Sequence, residues 1–159
     1  MEYNEAKLQK LLFCEFAGRS IVVPNAHFRN SRWEMDALVI TKAGYSYEYE
    51  IKCTKSDFKN EFKKKATKHR YMEAGFSKRY HANYYSILCP EELITIEDVE
   101  ELNPKYGLWW ANRYWMKCQK KPVKLHDETI SDKYYRALCV KLMYKIFNHC
   151  DKYTVRQKQ

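Results

Sequence analysis

Hydrophobic residues recur at helical spacing in three stretches of the chain. In residues 4–17 they lie three or four positions apart, with Asn4 as an N-cap and Gly18 as the end of the helix. A second helix is predicted over residues 55–74, and a third begins after Ser131. The apolar stripe of the second helix consists of Phe58, Phe62, Ala66, His69 and Met72. An acidic segment, residues 91–101, predicts a short additional helix.

Six shorter runs have the composition of β-strands. They cover residues 21–23, 33–41, 45–53, 84–89, 106–111 and 114–118. Pro24 ends the first run, and Gly44 takes the left-handed position of a three-residue hairpin loop between the second and third. The order of helices and strands predicts an α/β fold with a mixed central sheet flanked by helices. We expect a single domain over residues 1–150 and a flexible basic tail over residues 151–159.

The composition excludes several classes of protein. The chain has 159 residues, with 29 Lys and Arg against 20 Asp and Glu, a formal net charge of +9. Its first residues are acidic and polar, unlike those of a signal peptide, and no hydrophobic run is long enough to cross a membrane. Six cysteines at irregular spacing, without a C-x-x-C motif, fit a reducing compartment better than a disulfide framework or a zinc site. We therefore expect a soluble cytoplasmic protein.

The positive charge is concentrated in one part of the chain. From Lys52 to Tyr80 there are ten basic and three acidic residues, a net charge of +7. A patch of this density is typical of a protein that binds a polyanion, and nucleic acid is the commonest polyanion inside cells. A solvated, lysine-rich helix face would have the same composition. Charge alone leaves both interpretations open.

Two carboxylates are predicted to face each other across the hairpin. If residues 42–44 form the loop, residue 41 pairs with residue 45, and Asp36 lies opposite Glu50 with Cβ atoms about 5 Å apart. Lys52 projects from the same face of the strand, about 7 Å beyond Glu50. Facing carboxylates repel unless a cation lies between them, and their oxygens suit Mg²⁺. The group predicts metal-assisted hydrolysis of a phosphodiester. The alternative is ordinary ion pairing of the two acids with lysines on a solvated sheet face.

These residues resemble the core pattern of the PD-(D/E)XK nuclease superfamily. Asp36 lies on one strand, Glu50-Ile51-Lys52 lies across the hairpin, and Ser56-Asp57-Phe58 opens a lysine-rich helix. Met35 stands where the family name has Pro. The likeness is strongest to small bacterial and phage nucleases similar to the MmcB-type DNA-repair proteins, and it covers most of residues 1–148.

The resemblance implies a restriction-endonuclease-like core and a Mg²⁺-dependent deoxyribonuclease of a bacterial or phage-infected cell, with Mn²⁺ able to substitute. It implies metal binding by Asp36, Glu50 and the backbone carbonyl of Ile51, and catalysis by Lys52. The family also has an acidic residue on the first helix. Glu5 is our assignment for that residue, with Glu2 and Glu15 as alternatives.

The lysine-rich helix is the predicted DNA-binding element, because phosphate contacts use Lys and Arg. The candidate residues are Lys55, Lys59, Lys63, Lys68 and Arg70. We expect DNA as the partner and no membrane, and whether the chain forms a homodimer is left open. One alternative is a catalytically silent DNA-binding module with the same fold. Another is a protein-interaction role for the acidic segment 91–101.

Overall fold

The structure, a computed structural model, describes residues 3–27, 33–74 and 82–156. Its elements, in chain order, are α1 (Glu5–Phe16), β1 (Ser20–His27), β2 (Glu34–Thr41), β3 (Ser46–Ile51), α2 (Lys55–Lys64), α3 (Ala66–Glu73), β4 (Tyr84–Pro90), α4 (Ile96–Leu102), β5 (Gly107–Ala111), β6 (Met116–Lys120) and α5 (Asp132–Arg156). The chain divides into two compact units, Met1–Thr129 and Ile130–Gln159. The first unit contains the whole sheet and helices α1 to α4. This architecture confirms the predicted α/β class.

The sheet is mixed, and its six strands lie side by side in chain order. Strands β1, β2 and β3 pair antiparallel, β3, β4 and β5 pair parallel, and β5 and β6 pair antiparallel. Parallel neighbours need a crossover connection. Here α2 and α3 connect β3 to β4, and α4 connects β4 to β5. Strand β3 therefore has an antiparallel neighbour on one side and a parallel neighbour on the other.

The predicted hairpin and its register are confirmed. Leu38 pairs with Glu48 and Ile40 pairs with Ser46, the register that places residue 41 opposite residue 45. The Thr41 N–H donates to the Tyr45 carbonyl at 2.9 Å. Gly44 has φ 80°, in the left-handed region that the three-residue loop requires.

The two faces of the sheet carry separate hydrophobic clusters. Leu8 and Leu12 of α1 pack against one face, on Val39, Tyr49 and other side chains that alternate toward this helix. On the opposite face, Phe58 of α2, Met72 of α3 and Val99 of α4 pack in a cluster that includes Ile87 and Leu108 of the sheet. The side chains of Glu48 and Glu50 project toward this second face, beneath α2 and α3.

Strand β1 is longer than the hydrophobic pattern predicts, because Pro24 does not end it. Pro24 pairs with Ala37, and Ala26 pairs with Met35 two residues later. Strand β1 lies at the edge of the sheet. There a residue without an N–H is tolerated, since one side of the strand has no neighbour to receive it.

The helix predicted over residues 55–74 is two helices with a break at Lys65. Thr54 caps α2 by accepting a hydrogen bond from the Asp57 N–H at 3.0 Å. Lys65 has φ −109° and ψ 24°, outside the helical region, so α2 ends before it and α3 begins after it. The apolar stripe also differs from the predicted one, because Ala66 is exposed.

Helix α5 belongs to the second unit. It begins after Ser131, whose hydroxyl accepts a hydrogen bond from the Tyr134 N–H at 3.3 Å. The helix continues to Arg156, into the segment where the sequence predicts a flexible tail. Residues 157–159 lie outside the described part of the chain. Within residues 3–27, 33–74 and 82–156, no helix combines the length and the apolar character needed to cross a membrane.

Candidate active site

Strands β2 and β3 separate at Asp36. Their pairing ends at Ala37 and Tyr49, and beyond it the Ile51 N–H donates to the Asp36 carboxylate, at 2.6 Å from Oδ2. The next N–H, of Lys52, donates to the Leu88 carbonyl of β4 at 2.9 Å. Because successive residues of a strand direct their backbone groups to opposite sides, the Ile51 carbonyl faces the same side as its N–H, toward Asp36. Asp36 and Ile51, two of the predicted site residues, thus meet where the two strands part.

The Asp36 carboxyl lies in an unfavourable environment for a negative charge. Burial and the charge of Glu50 raise its pKa from 3.8 to about 7, with a smaller contribution from Glu5, although the hydrogen bond from Ile51 acts in the opposite direction. Among the described residues, no lysine or arginine forms an ion pair with Asp36. When Asp36 is ionised, its negative charge is therefore not paired with a lysine or arginine of the described residues.

The Glu50 carboxylate, in contrast, contacts three lysines. Its Oε1 lies 3.1 Å from the Lys52 ammonium and 2.7 Å from that of Lys65, and its Oε2 lies 3.4 Å from that of Lys68. Burial alone would raise the pKa of Glu50, but the charges of Lys68, Lys52 and Lys65 outweigh it and lower the pKa to about 2. Glu50 is therefore ionised throughout the neutral pH range.

Two further carboxylates complete this cluster. Glu61 of α2 lies 3.0 Å from the Lys52 ammonium and 2.8 Å from that of Lys65. Glu48 pairs with Lys68. We call the six residues Glu48, Glu50, Glu61, Lys52, Lys65 and Lys68 the charge network. Its three acids and three bases cancel in formal charge, and this allows their side chains to lie between the sheet and helices α2 and α3.

Lys52 is held in its charged form. Its side chain is 5% exposed, and burial by itself would lower its pKa, but the carboxylates of Glu50 and Glu61 outweigh burial and raise the pKa above the ordinary value. A lysine in this state does not accept a proton near neutral pH. Its chemistry at this site is to supply a positive charge at a fixed position.

Glu5 is the helix acid that the structure brings to Asp36. The Gln9 side-chain amide donates to Glu5 Oε1 at 3.0 Å and to the Asp36 backbone carbonyl at 2.9 Å. Asn25 of β1 donates to the same oxygen of Glu5 at 3.4 Å, from a backbone with φ 48°. The carboxylate of Glu5 is thus connected through the Gln9 amide to the strand that carries Asp36, and it also accepts from Asn25 of β1.

The other two candidates for the helix acid do not share this position. Glu15 lies near the end of α1 opposite Glu5, exposed and paired with Arg19 at 2.6 Å. Ten residues of α-helix separate it from Glu5, about 15 Å along the axis. Glu2 lies outside the described residues.

Asp36, Glu50 and the Ile51 carbonyl supply oxygen atoms of the kind that a magnesium ion binds. Two carboxylates and a backbone carbonyl are the kind of ligands that Mg²⁺ takes from a protein, and water or substrate phosphate fills its other positions. In the described ranges, no group of three or more His, Cys, Asp and Glu side chains could hold a metal by itself. A metal ion held by Asp36, Glu50 and the Ile51 carbonyl would therefore take its remaining ligands from water or substrate.

The predicted phosphate contacts divide into two groups. Lys55, Lys59, Lys63 and Arg70 are exposed. Lys68 is buried and paired with Glu48, so it does not present its ammonium to a ligand outside the fold. Lys52 and Lys65 also belong to the charge network. The exposed positive charge of α2 and α3 is consequently smaller than the sequence predicts.

Several residues of the site were not predicted from the sequence. Gln9 and Asn25 carry no sequence signal for their positions beside Asp36. Glu48 shares a strand face with Glu50, which is a local signal for a common environment. Glu61 and Lys65 are four residues apart, a spacing that places them on one side of a helical turn.

Comparisons with known proteins identify the fold but not the activity. No protein-family model matches the chain, and no curated protein matches it. The chain is similar to a solved structure of a protein of unknown function from Silicibacter pomeroyi, with a TM-score of 0.62 and 14% sequence identity. The alignment covers 94% of this chain and 91% of that chain. At this identity the likeness concerns the fold alone.

Proposed function

We propose that this protein is a metal-dependent deoxyribonuclease of the PD-(D/E)XK type. The observation that carries the proposal is that Asp36 is bonded to Ile51, the residue between Glu50 and Lys52, and feels the charge of Glu50 where β2 and β3 separate. The presence of Glu5 beside Asp36 supports it. DNA repair, recombination and phage DNA processing are the settings that the family resemblance suggests.

Each side chain has a distinct part in this proposal. Asp36, Glu50 and the Ile51 carbonyl would hold Mg²⁺, and the bound ion would supply Lewis-acid activation of the phosphodiester and of the attacking water. Lys52 places a permanent positive charge where negative charge develops on the phosphate oxygens. Glu61 positions the Lys52 ammonium through its contact at 3.0 Å.

The exposed lysines of α2 are the proposed contacts to the DNA backbone. Lys55, Lys59 and Lys63 are four residues apart, so they form one stripe along the helix, about 12 Å long. Such a stripe binds phosphates without reading the base sequence. Because α2 directly follows Lys52, DNA bound along it would lie next to the proposed catalytic residues.

The test is a cleavage assay on duplex, single-stranded, branched and flap DNA with Mg²⁺ or Mn²⁺. We expect nicking or degradation of at least one substrate, and loss of cleavage in Lys52→Met with DNA affinity nearly unchanged. Lys42→Met, which removes an exposed lysine from the hairpin loop, is the matched control and should cut normally. Cleavage that persists in purified Lys52→Met would refute the assignment of Lys52.

A catalytically silent DNA-binding module is the second candidate function. The observation that favours it is that both carboxylate oxygens of Glu50 already contact lysines. A protein of this kind would bind DNA with the same affinity in Mg²⁺ and in EDTA at matched ionic strength and would cut none of the four substrates. A nuclease would bind Mg²⁺ by calorimetry and lose that binding in Asp36→Asn.

A further inference from the structure

We infer that Lys65 is an exchangeable cation: it neutralises Glu50 in the metal-free protein and leaves Glu50 when a divalent ion binds there. The inference rests on the proposed function, because it assumes that Glu50 is a metal ligand. It adds a positioning residue that the sequence motif does not contain. It also reconciles the metal site with the lysine contacts of Glu50.

The starting point is that a metal ion and the lysines compete for the same oxygens. Oε1 of Glu50 lies 2.7 Å from the Lys65 ammonium and 3.1 Å from that of Lys52, and Oε2 lies 3.4 Å from that of Lys68. Two ammonium groups already occupy Oε1, so a divalent ion that binds this oxygen must take the place of one of them. The closest contact, that of Lys65, is the one that most directly blocks Oε1.

Of the three lysines, Lys65 is the one with access to solvent. Its side chain is 24% exposed, whereas those of Lys52 and Lys68 are each 5% exposed. Lys68 is further held by Glu48 and lies over the Tyr85 ring, with 5.4 Å between the ammonium and the ring centroid. Moving Lys52 or Lys68 away from Glu50 would leave a buried ammonium with one carboxylate contact fewer and no water to replace it, which is costly. Moving Lys65 would not.

The backbone at Lys65 also differs from that of the other two residues. Lys52 lies directly after β3, with its N–H bonded to Leu88, and Lys68 lies within α3. Lys65 occupies the break between α2 and α3, at non-helical φ and ψ. A residue at such a junction can turn its side chain without disturbing a helix on either side.

Glu61 provides the second position of the exchange. The Lys65 ammonium lies 2.8 Å from Oε1 of Glu61 as well as 2.7 Å from Glu50. When Lys65 leaves Glu50 it can therefore remain paired with Glu61, next to the opened metal position. A positive charge there is suited to a substrate phosphate, so the exchange opens the metal position and retains a cation for the substrate.

The experiment is calorimetric titration of the full chain with Mg²⁺ and, separately, with Mn²⁺. We expect Lys65→Met to bind the metal about tenfold more tightly than the unmodified protein, because one competing cation is removed while the aliphatic length is kept. Lys64→Met removes the adjacent exposed lysine and should leave the affinity unchanged. Lys65→Arg keeps a cation at the position and should bind metal like the unmodified protein.

The outcomes separate this inference from the proposed function. If the unmodified protein binds metal and Lys65→Met binds it equally or more weakly, the exchange is refuted and the metal site stands. If neither protein binds metal, both proposals fail. Binding by Lys65→Met alone would also refute the exchange, because Lys65 would then block the metal position instead of leaving it.

A measurement on the unmodified protein covers the case in which Lys65→Met does not fold. In NMR spectra of the lysine side chains, saturation with Mg²⁺ should shift the Lys65 ammonium signal, with Lys64 as the internal reference. An unchanged Lys65 signal at saturating metal would refute the exchange.

Discussion

Asp36→Asn should make the metal-free protein more stable at alkaline pH. The amide keeps an oxygen that can accept the hydrogen bond from the Ile51 N–H, at 2.6 Å in the structure, and it removes the charge that burial and Glu50 oppose. A charged group that lowers the stability of the fold in this way is typical of a site whose charges serve function rather than folding.

The magnitude follows from the pKa of Asp36. Its value is 3.8 for an ordinary aspartate and about 7 in the folded protein. At about 1.4 kcal/mol for each tenfold change in the protonation equilibrium, ionising Asp36 costs the fold up to roughly 4 kcal/mol above pH 7. Local relaxation and entry of water reduce this upper limit, and we expect a gain of about 1–3 kcal/mol in Asp36→Asn.

The sign of the effect depends on pH. Between pH 3.8 and about 7 the folded protein holds a proton on Asp36 that the unfolded chain releases, so the stability of the protein falls as pH rises through this window. Below pH 3.8 the carboxyl is neutral in both states. The advantage of Asp36→Asn should therefore be small at pH 4 and reach its full size at pH 8.

Urea unfolding at pH 4 and pH 8, in EDTA, measures both values. Glu34→Gln is the matched control, because Glu34 is an exposed carboxylate two residues earlier on the same strand. At either pH, the free energy of unfolding of Glu34→Gln should differ little from that of the unmodified protein. If Asp36→Asn is no more stable than the unmodified protein at pH 8, or gains equally at pH 4, the electrostatic description of Asp36 is wrong.

Three further predictions concern the helices that cover the site. Replacing Lys59 and Lys63 together by Ala should reduce the slope of log affinity for DNA against log salt by about 1–2, measured by fluorescence anisotropy. An unchanged slope would mean that these two lysines belong to a solvated helix face and do not contact DNA. Lys68→Met should lower the free energy of unfolding by about 3–5 kcal/mol, because it leaves Glu48 buried without its partner, and adding Glu48→Leu should recover most of that loss in urea unfolding. Burial and the charge of Lys68 lower the pKa of His69 to about 3. Below pH 6.5, His69 therefore binds a proton in the unfolded chain but not in the folded protein. Acidification from pH 7 to pH 4 should therefore cost roughly 2–3 kcal/mol more in the unmodified protein than in His69→Leu.

The local part of the site could be predicted because one hairpin determines it. Gly44 identifies the loop, the loop length sets the register, and the register places Asp36 and Glu50 on neighbouring strands. None of these steps depends on the rest of the chain. The divergence of the strands at Asp36 was not predictable in this way, because beyond Tyr49 strand β3 continues to pair with β4, which the hairpin does not contain.

The charge network could not be predicted from the hydrophobic pattern. That pattern assigns charged residues of a helix to the solvent side, yet the inward stripe includes Glu61, Lys65 and Lys68, between Phe58 and Met72. These residues are spaced three and four apart, like an apolar stripe. What makes their burial acceptable is the presence of opposite charges on β3, and Lys68 lies 20 positions along the chain from its partner Glu48. Such pairing depends on tertiary packing that periodicity does not contain.

The charge network also restricts how related sequences can diverge. Losing one of its buried charges leaves the opposite charge without compensation, whereas replacing both members of a pair by apolar residues of similar size can leave stability unchanged. Glu48 and Lys68 should therefore be lost together or retained together during evolution. Glu50 should persist through such exchanges wherever catalysis is under selection, so the pattern of variation in homologous chains would separate the residues that maintain the fold from those that maintain activity.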